Sequence, residues 1–170
     1  AYTKWMKRKG KSQSTIVRSV ASLKCFYNYF ISAGLIKNNP AMDISFEKIE
    51  KKLPQIVTNK EVDLFLDQPK PTDIKGCRDK AMLEMLYATG MRVTELISLD
   101  IDDVNLSVGV VRCRKGDKDR YIPMYHTAIK ALSEYITVVR DSLLATPSES
   151  ALFVNMNGER MSRQGFWKIV

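Results

Sequence analysis

Arg92, Glu95 and Lys115 are the residues whose types and spacing can do chemistry on a charged oxygen. Arg92 follows Gly90 and Met91 and stands three residues before Glu95. Read locally, the glycine ends one helix and Arg92 begins another, which sets a cation at the positive end of a helix dipole. Such a cation needs an anion, and Glu95 at i+3 is within reach. Two readings fit. One is a plain surface ion pair. The other is a guanidinium held by Glu95 so that its planar fork clamps a phosphate at two points. Lys115 lies in the polar run Arg114-Lys115-Gly116-Asp117-Lys118-Asp119-Arg120. It is either a solvated turn lysine or a mobile point charge and proton donor whose pKa a neighbouring guanidinium lowers. Arg114, Lys118 and Arg120 around it read as contacts to a phosphate backbone or as solvated charges.

Little else in the chain offers chemistry. The single histidine, His126, reads as a helix-start or surface residue, and Tyr27 and Tyr87 among the seven tyrosines read as core. Cys25, Cys77 and Cys113 are far apart and flanked by apolar residues, with no metal-ligand spacing and no redox pair. They read as reduced core or near-core thiols of a cytoplasmic protein. No cofactor or metal is expected, and no apolar run has the length of a membrane span. The charge is uneven. Residues 1–56 hold eleven Lys/Arg against three Asp/Glu, whereas residues 57–170 hold sixteen of each, so the whole net charge of +8 sits in the first third. That asymmetry predicts two modules with different partners, the basic one attracted to a polyanion such as nucleic acid. A solvated basic surface is the plainer alternative.

The elements that must position these residues follow from periodicity and capping. Ser12 or Ser14 caps a helix to about residue 32, with Ile16, Val20, Leu23, Phe26, Tyr27 and Phe30 on one apolar face and Gly34 at its end. Pro40 starts a short further helix. Residues 47–57 are charged and aperiodic, and read as a linker between a module at 1–46 and another at 58–170. Thr58-Asn59-Lys60-Glu61 is a capping box. Helices are predicted over 76–89, with Ala81, Met82, Met85, Leu86 and Ala88 inward, over 93–99 and over 126–144. Between them, Val104, Leu106, Val108, Val110 and Val111, then Tyr121-Ile122-Pro123, predict a hairpin in a small antiparallel sheet. Residues 152–154 read as a short strand or a buried extended segment.

Taken in order, Ala88-Thr89-Gly90-Met91-Arg92-Val93-Thr94-Glu95-Leu96, the hairpin lysine, and Tyr121-Ile122-Pro123-Met124 leading into a helix resemble the tyrosine site-specific recombinases, the integrase family, most nearly its Xer-type members. Residues 51–58 resemble that family's entry into its catalytic domain, and residues 14–26 part of its helical core-binding domain. The segments 152–155 and 162–167 fit as well. The resemblance implies a mainly α fold with a small antiparallel β-sheet, built as a two-module DNA clamp. It also implies strand cleavage and rejoining through a 3′-phosphotyrosyl link, without metal or nucleotide. Carried over, Arg92 is the first catalytic arginine, Glu95 its supporting acid and Lys115 the general acid. DNA contacts fall on Lys7, Arg8, Lys9, Lys11, Ser14, Thr15 and Arg18, and on Lys118 and Arg120. The implied partners are a duplex recombination site, further protomers forming a tetramer on DNA, and a DNA translocase. Chromosome partition is among the family's roles. The family's second arginine, its further histidine and its nucleophilic tyrosine all come after the segment that ends at Val170. Ala1 and Val170 both read as the ends of a fragment, for which inactivity in cleavage is expected. The alternative is a naturally truncated relative that occupies recombination sites without cutting.

Overall fold

The computed structural model describes residues 2–46, 55–115 and 118–170. The linker expected at 47–57 therefore falls mostly outside the described residues. The chain divides into two compact units, residues 1–55 and 56–170.

In the first unit, α1 (Tyr2–Arg8) packs against α2 (Gln13–Ser32), and Met6, Ile16 and Val20 are buried. The Tyr2 and Ser19 hydroxyls share a 2.7 Å hydrogen bond that pins the pair. Ser12 is the cap of α2, its Oγ accepting from the Thr15 N–H. The inward stripe is narrower than its spacing predicts. Leu23, Tyr27 and Phe30 are half-buried, while Phe26 is exposed and stacks edge-on against Phe30. Cys25 is exposed, not near-core. At about 100° per residue, nine positions from Ile16 is half a turn away, so Cys25 points to the opposite side of the helix. The helix expected from Pro40 does not form, and residues 40–43 make only a turn. Its chain is held by side chains. The Lys24 ammonium donates to the Met42 and Ile44 carbonyls, both at 2.8 Å, and the Asn39 carboxamide bonds Lys24 O and the Ala41 N–H. Those bonds supply what a helix would otherwise supply.

The second unit is built on α4 (Ile74–Thr89), whose Cys77, Ala81, Met82, Leu83 and Met85 are buried. It packs on α3 (Asn59–Leu66), α5 (Val93–Ser98) and α6 (His126–Glu134). The Thr58–Glu61 capping box closes the start of α3, the Thr58 N–H donating to Glu61 at 2.7 Å. After a single 3₁₀ turn at Ile101–Asp103 come β1 (Val104–Asn105), β2 (Val110–Lys115) and β3 (Lys118–Pro123), an antiparallel sheet in that order. The predicted helix over 126–144 is one run of three kinds. α6 widens into π-helical turns at Tyr135–Arg140, then closes as α7 (Asp141–Leu143). Residues 151–154 are fully buried and bridge Asp100 and Arg160 in two isolated antiparallel pairs. A short α8 (Arg163–Trp167) follows. Tyr87, expected in the core, is 54% exposed and lies edge-on to Tyr125. Two residues beyond buried Met85, it has turned about 200° away from the core face.

Candidate functional site

Arg92 is placed by a break that its own neighbours enforce. Gly90 ends α4 in the left-handed region at φ 59°, its N–H donating to Leu86 O. The Thr89 hydroxyl closes the last turn on Met85 O at 2.7 Å, and Met91 is buried. Arg92 then stands in extended geometry as the residue before α5, and its main-chain N–H donates to Glu95 Oε2 at 2.7 Å. Glu95 thus does for this helix what a capping-box acid does. Its side chain is 12% exposed, whereas that of Arg92 is 68% exposed with Nη1 3.5 Å from Glu95 Oε1. Eight cations take part in the described ion pairs, and Arg92 is the most exposed of them.

The hairpin reaches the same carboxylate. Arg120 on β3 sits opposite Cys113, and its guanidinium donates to Glu95 Oε2 at 2.9 Å. Two positions further along the register, Lys115 ends β2 opposite Lys118. The Lys115 side chain and the turn residues Gly116 and Asp117 lie outside the described part of the structure. Arg92, Glu95 and Arg120 are therefore brought into contact, Lys118 is exposed, and Lys115 is placed by its backbone alone.

Arg114 is half-exposed and takes part in an ion-pair cluster within the unit. It joins Arg112 on the buried Asp103 carboxylate, with Nη2 2.7 Å from Oδ1. That carboxylate also accepts the Asp100 N–H. The Asp100 side chain takes Arg160, which holds the Asp100 carboxyl below its usual range. Arg160 reaches on to the Ile97 and Leu99 carbonyls at the end of α5. This cluster ties β2 and the exit of α5 together. Sequence reasoning missed it, because nothing in the spacing of Asp100, Asp103, Arg112, Arg114 and Arg160 announces that they meet. Arg78 and Arg140 are likewise buried and structural. Arg78 pairs with Asp79 and bonds Val154 O, while Arg140 bonds the Glu149 and Ala151 carbonyls. Tyr125 donates to the buried Glu84 carboxylate at 2.5 Å, and Lys80 pairs with the other oxygen of that group. Burial, then the Glu84 bond, pushes the Tyr125 hydroxyl well above its usual pKa. His126 is the exposed first residue of α6. Among the described residues, no three or more His, Cys, Asp and Glu side chains could hold a metal ion, and no helix is long and apolar enough to cross a membrane.

The first unit presents a different surface. Lys7 and Arg8 end α1, Lys9 and Lys11 flank Gly10 in the connection, and Arg18 lies one turn into α2. All five are exposed, as are Ser14 and Thr15. The Thr15 hydroxyl shares a 2.8 Å bond with Ser12 Oγ. Among the described residues no ion pair forms in this unit, whereas every described pair belongs to residues 56–170.

Residues 55–170 match the phage integrase family. The tyrosine recombinase XerD of Oceanobacillus iheyensis is 45% identical over 167 residues, which is 97% of this chain and 56% of that protein. The tyrosine recombinase XerC of Herpetosiphon aurantiacus is 41% identical over 172 residues, 100% of this chain and 56% of its own. The chain thus spans little more than half the length of these relatives. Among solved structures, the Tn1549 transposon integrase bound to a circular-intermediate DNA superposes with a TM-score of 0.74 at 22% identity, over 96% of this chain and 58% of that one.

Proposed function

The chain belongs to the phage integrase family, the tyrosine recombinases, and from that premise we propose that it is the DNA-gripping and charge-stabilising part of a recombinase that cuts and rejoins duplex DNA. The observation that carries the reading is Arg92. Its guanidinium is exposed although its main chain is fixed by Gly90 behind and Glu95 ahead. A guanidinium offered to solvent from a fixed main chain can meet a phosphodiester and stabilise the charge that builds on a phosphorane.

In the proposed reaction a tyrosine hydroxyl gives up its proton to water as it attacks the phosphorus, the bond to the 5′-oxygen breaks, and the strand stays linked as a 3′-phosphotyrosyl ester. Arg92 neutralises the equatorial oxygens and Lys115 protonates the departing 5′-oxygen. Lys7, Arg8, Lys9, Lys11 and Arg18 contact backbone phosphates. Ser14 and Thr15 add bonds at the start of α2, and Lys118 contacts the backbone from the hairpin. These assignments supply orientation and charge rather than base readout. The DNA-bound state of the solved Tn1549 relative supports duplex DNA as the partner. Assembly into a tetramer on DNA, and coupling to a DNA translocase, belong to the same proposal for the whole protein.

The test is a titration of the chain with duplex DNA, followed at the Arg92 guanidinium by NMR and by anisotropy across salt. Binding that shifts the Arg92 resonance and weakens with salt is expected. A chain with no affinity for duplex at low salt overturns the reading. In the full-length protein the two chemical roles separate. A substrate whose 5′ leaving atom is sulfur needs no proton, so Lys115→Ala regains cleavage on it while Arg92→Gln does not.

A further inference from the structure

We infer that Thr89 is a positioning residue for Arg92, its hydroxyl clasping the glycine turn that presents the arginine. This deepens the proposal above and rests on reading Arg92 as a phosphate ligand. Past its last residue, α4 is closed by one backbone bond, from the Gly90 N–H to Leu86 O at 2.9 Å. A helix end of that simple left-handed kind leaves the next N–H, that of Met91, without a helix carbonyl. The Thr89 side chain supplies the acceptor. Its hydroxyl donates to Met85 O at 2.7 Å, which commits its one proton to the helix. The same oxygen then accepts the Met91 N–H at 3.4 Å. That bond is long, but among the described residues the Met91 N–H has no other acceptor. Met91 is buried, so water is a poor replacement.

The clasp acts where packing does not. Gly90 is exposed at φ 59°, and a Cβ placed there would meet nothing within 4 Å, so no neighbour confines the chain at that point. Glycine also has the greatest backbone freedom of any residue. The Thr89–Met91 bond spans it, joining the residue before the glycine to the residue after. A rotation at Gly90 would swing Arg92 relative to α4, and it would leave the Met91 N–H unpaired, which the buried setting of Met91 disfavours. Arg92 is the next residue along, its side chain 68% exposed. Its main chain is thus set by Thr89 behind and by the bond of its own N–H to Glu95 ahead. With its proton committed to Met85 O, the half-buried Thr89 hydroxyl has none to offer a phosphate. Its effect on phosphate therefore runs through Arg92.

The experiment titrates inorganic phosphate into the 170-residue chain and follows the Arg92 guanidinium resonance, assigned with Arg92→Lys. Thr89→Val keeps the shape of the side chain and removes the hydroxyl. It should weaken the phosphate response about fivefold, equivalent to one ordinary hydrogen bond read as lost binding-competent population. Thr89→Ser restores the hydroxyl and should return the response to near wild type. Tyr135→Phe removes a different buried hydroxyl, and should leave the Arg92 response where it was. Should Thr89→Val not fold, Thr89→Ala, a better helix former, makes the same comparison with Thr89→Ser. A response unchanged in the variant without the hydroxyl overturns the inference. So does a loss that Tyr135→Phe shares or that Thr89→Ser does not repair, which would make Thr89 a structural residue only. If wild-type Arg92 ignores phosphate, the phosphate reading fails. The positioning role is then decided without ligand, from the backbone order parameters of Met91 and Arg92. Values that fall in the variant without the hydroxyl and recover in Thr89→Ser support it, and values that never move refute it.

Discussion

Replacing Lys7, Arg8, Lys9 and Lys11 together by glutamine should weaken DNA binding in a way that salt reveals. All four side chains are exposed, and none takes part in a described ion pair. No internal bond has to break before they meet a phosphate. Each cation that neutralises a phosphate contributes about 0.9 to the slope of log K against log salt, which is roughly eightfold in affinity near 0.1 M. Four lost contacts lower the slope by up to about 3.6. Folding should not suffer, because the four side chains hold nothing in place and removing like charges relieves self-repulsion. The assay is anisotropy of a labelled duplex across salt, with thermal unfolding as the control. Lys37→Gln, a single exposed cation on the loop after α2, shows what loss of net charge alone does. A quadruple variant that keeps the wild-type slope would refute the assignment of this surface. A loss per charge no larger than that of Lys37→Gln would reduce it to net charge.

Two further outcomes follow from the second unit. Burial pushes the Tyr135 hydroxyl, which donates to Leu152 O at 3.1 Å, up to about 12. An unfolded tyrosine ionises near pH 10, so this contribution is complete below about pH 10 and drains away toward pH 12, at about 1.4 kcal/mol per pH unit. Urea unfolding across that range should fall less steeply in Tyr135→Phe than in wild type, and parallel slopes would contradict the burial argument. Arg140→Met removes bonds of 2.7 Å to Glu149 O and 2.8 Å to Ala151 O, so buried carbonyls lose their donor, and the cost should be about 2–4 kcal/mol. Asp141→Asn, which touches only the exposed side of the same arginine at 3.6 Å, should leave the urea midpoint unchanged.

What could be read from the sequence was local. Ser12, Thr58–Glu61 and Gly34 announce helix ends because a cap is decided within four residues. The hairpin was legible for the same reason, since β-formers on either side of a polar turn fix their own pairing. The Arg92–Glu95 contact follows from i,i+3 spacing, and the structure has it. What failed depended on which side of a helix the core lies. Periodicity marks an apolar stripe but not its width, so Cys25, Phe26 and Tyr87 were placed too deep. What was invisible was long-range. Arg120 meets Glu95 across 25 residues, and Arg160 meets Asp100 across 60. Neither partner carries a local signal, because a salt bridge formed by folding leaves no periodicity behind.

The division of charge explains how one chain can bind a polyanion and still position a single phosphate. Residues 57–170 balance sixteen cations against sixteen acids. Five of their arginines are engaged within the unit, with Arg78, Arg140 and Arg160 donating to main-chain carbonyls and Arg112 and Arg114 sharing Asp103. A unit so neutralised has little long-range pull on DNA, since its field falls off as paired dipoles do. The pull must come from residues 1–56, which carry an excess of +8 and whose described residues form no ion pair. Salt should therefore act mainly through the basic unit. The contribution of Arg92 should be about one contact in the salt slope yet decisive for where a phosphate sits. Attraction and alignment are thereby assigned to different residues. A variant that abolished site-directed phosphate contact at Arg92 while leaving the steep salt dependence intact would be the expected signature of that separation.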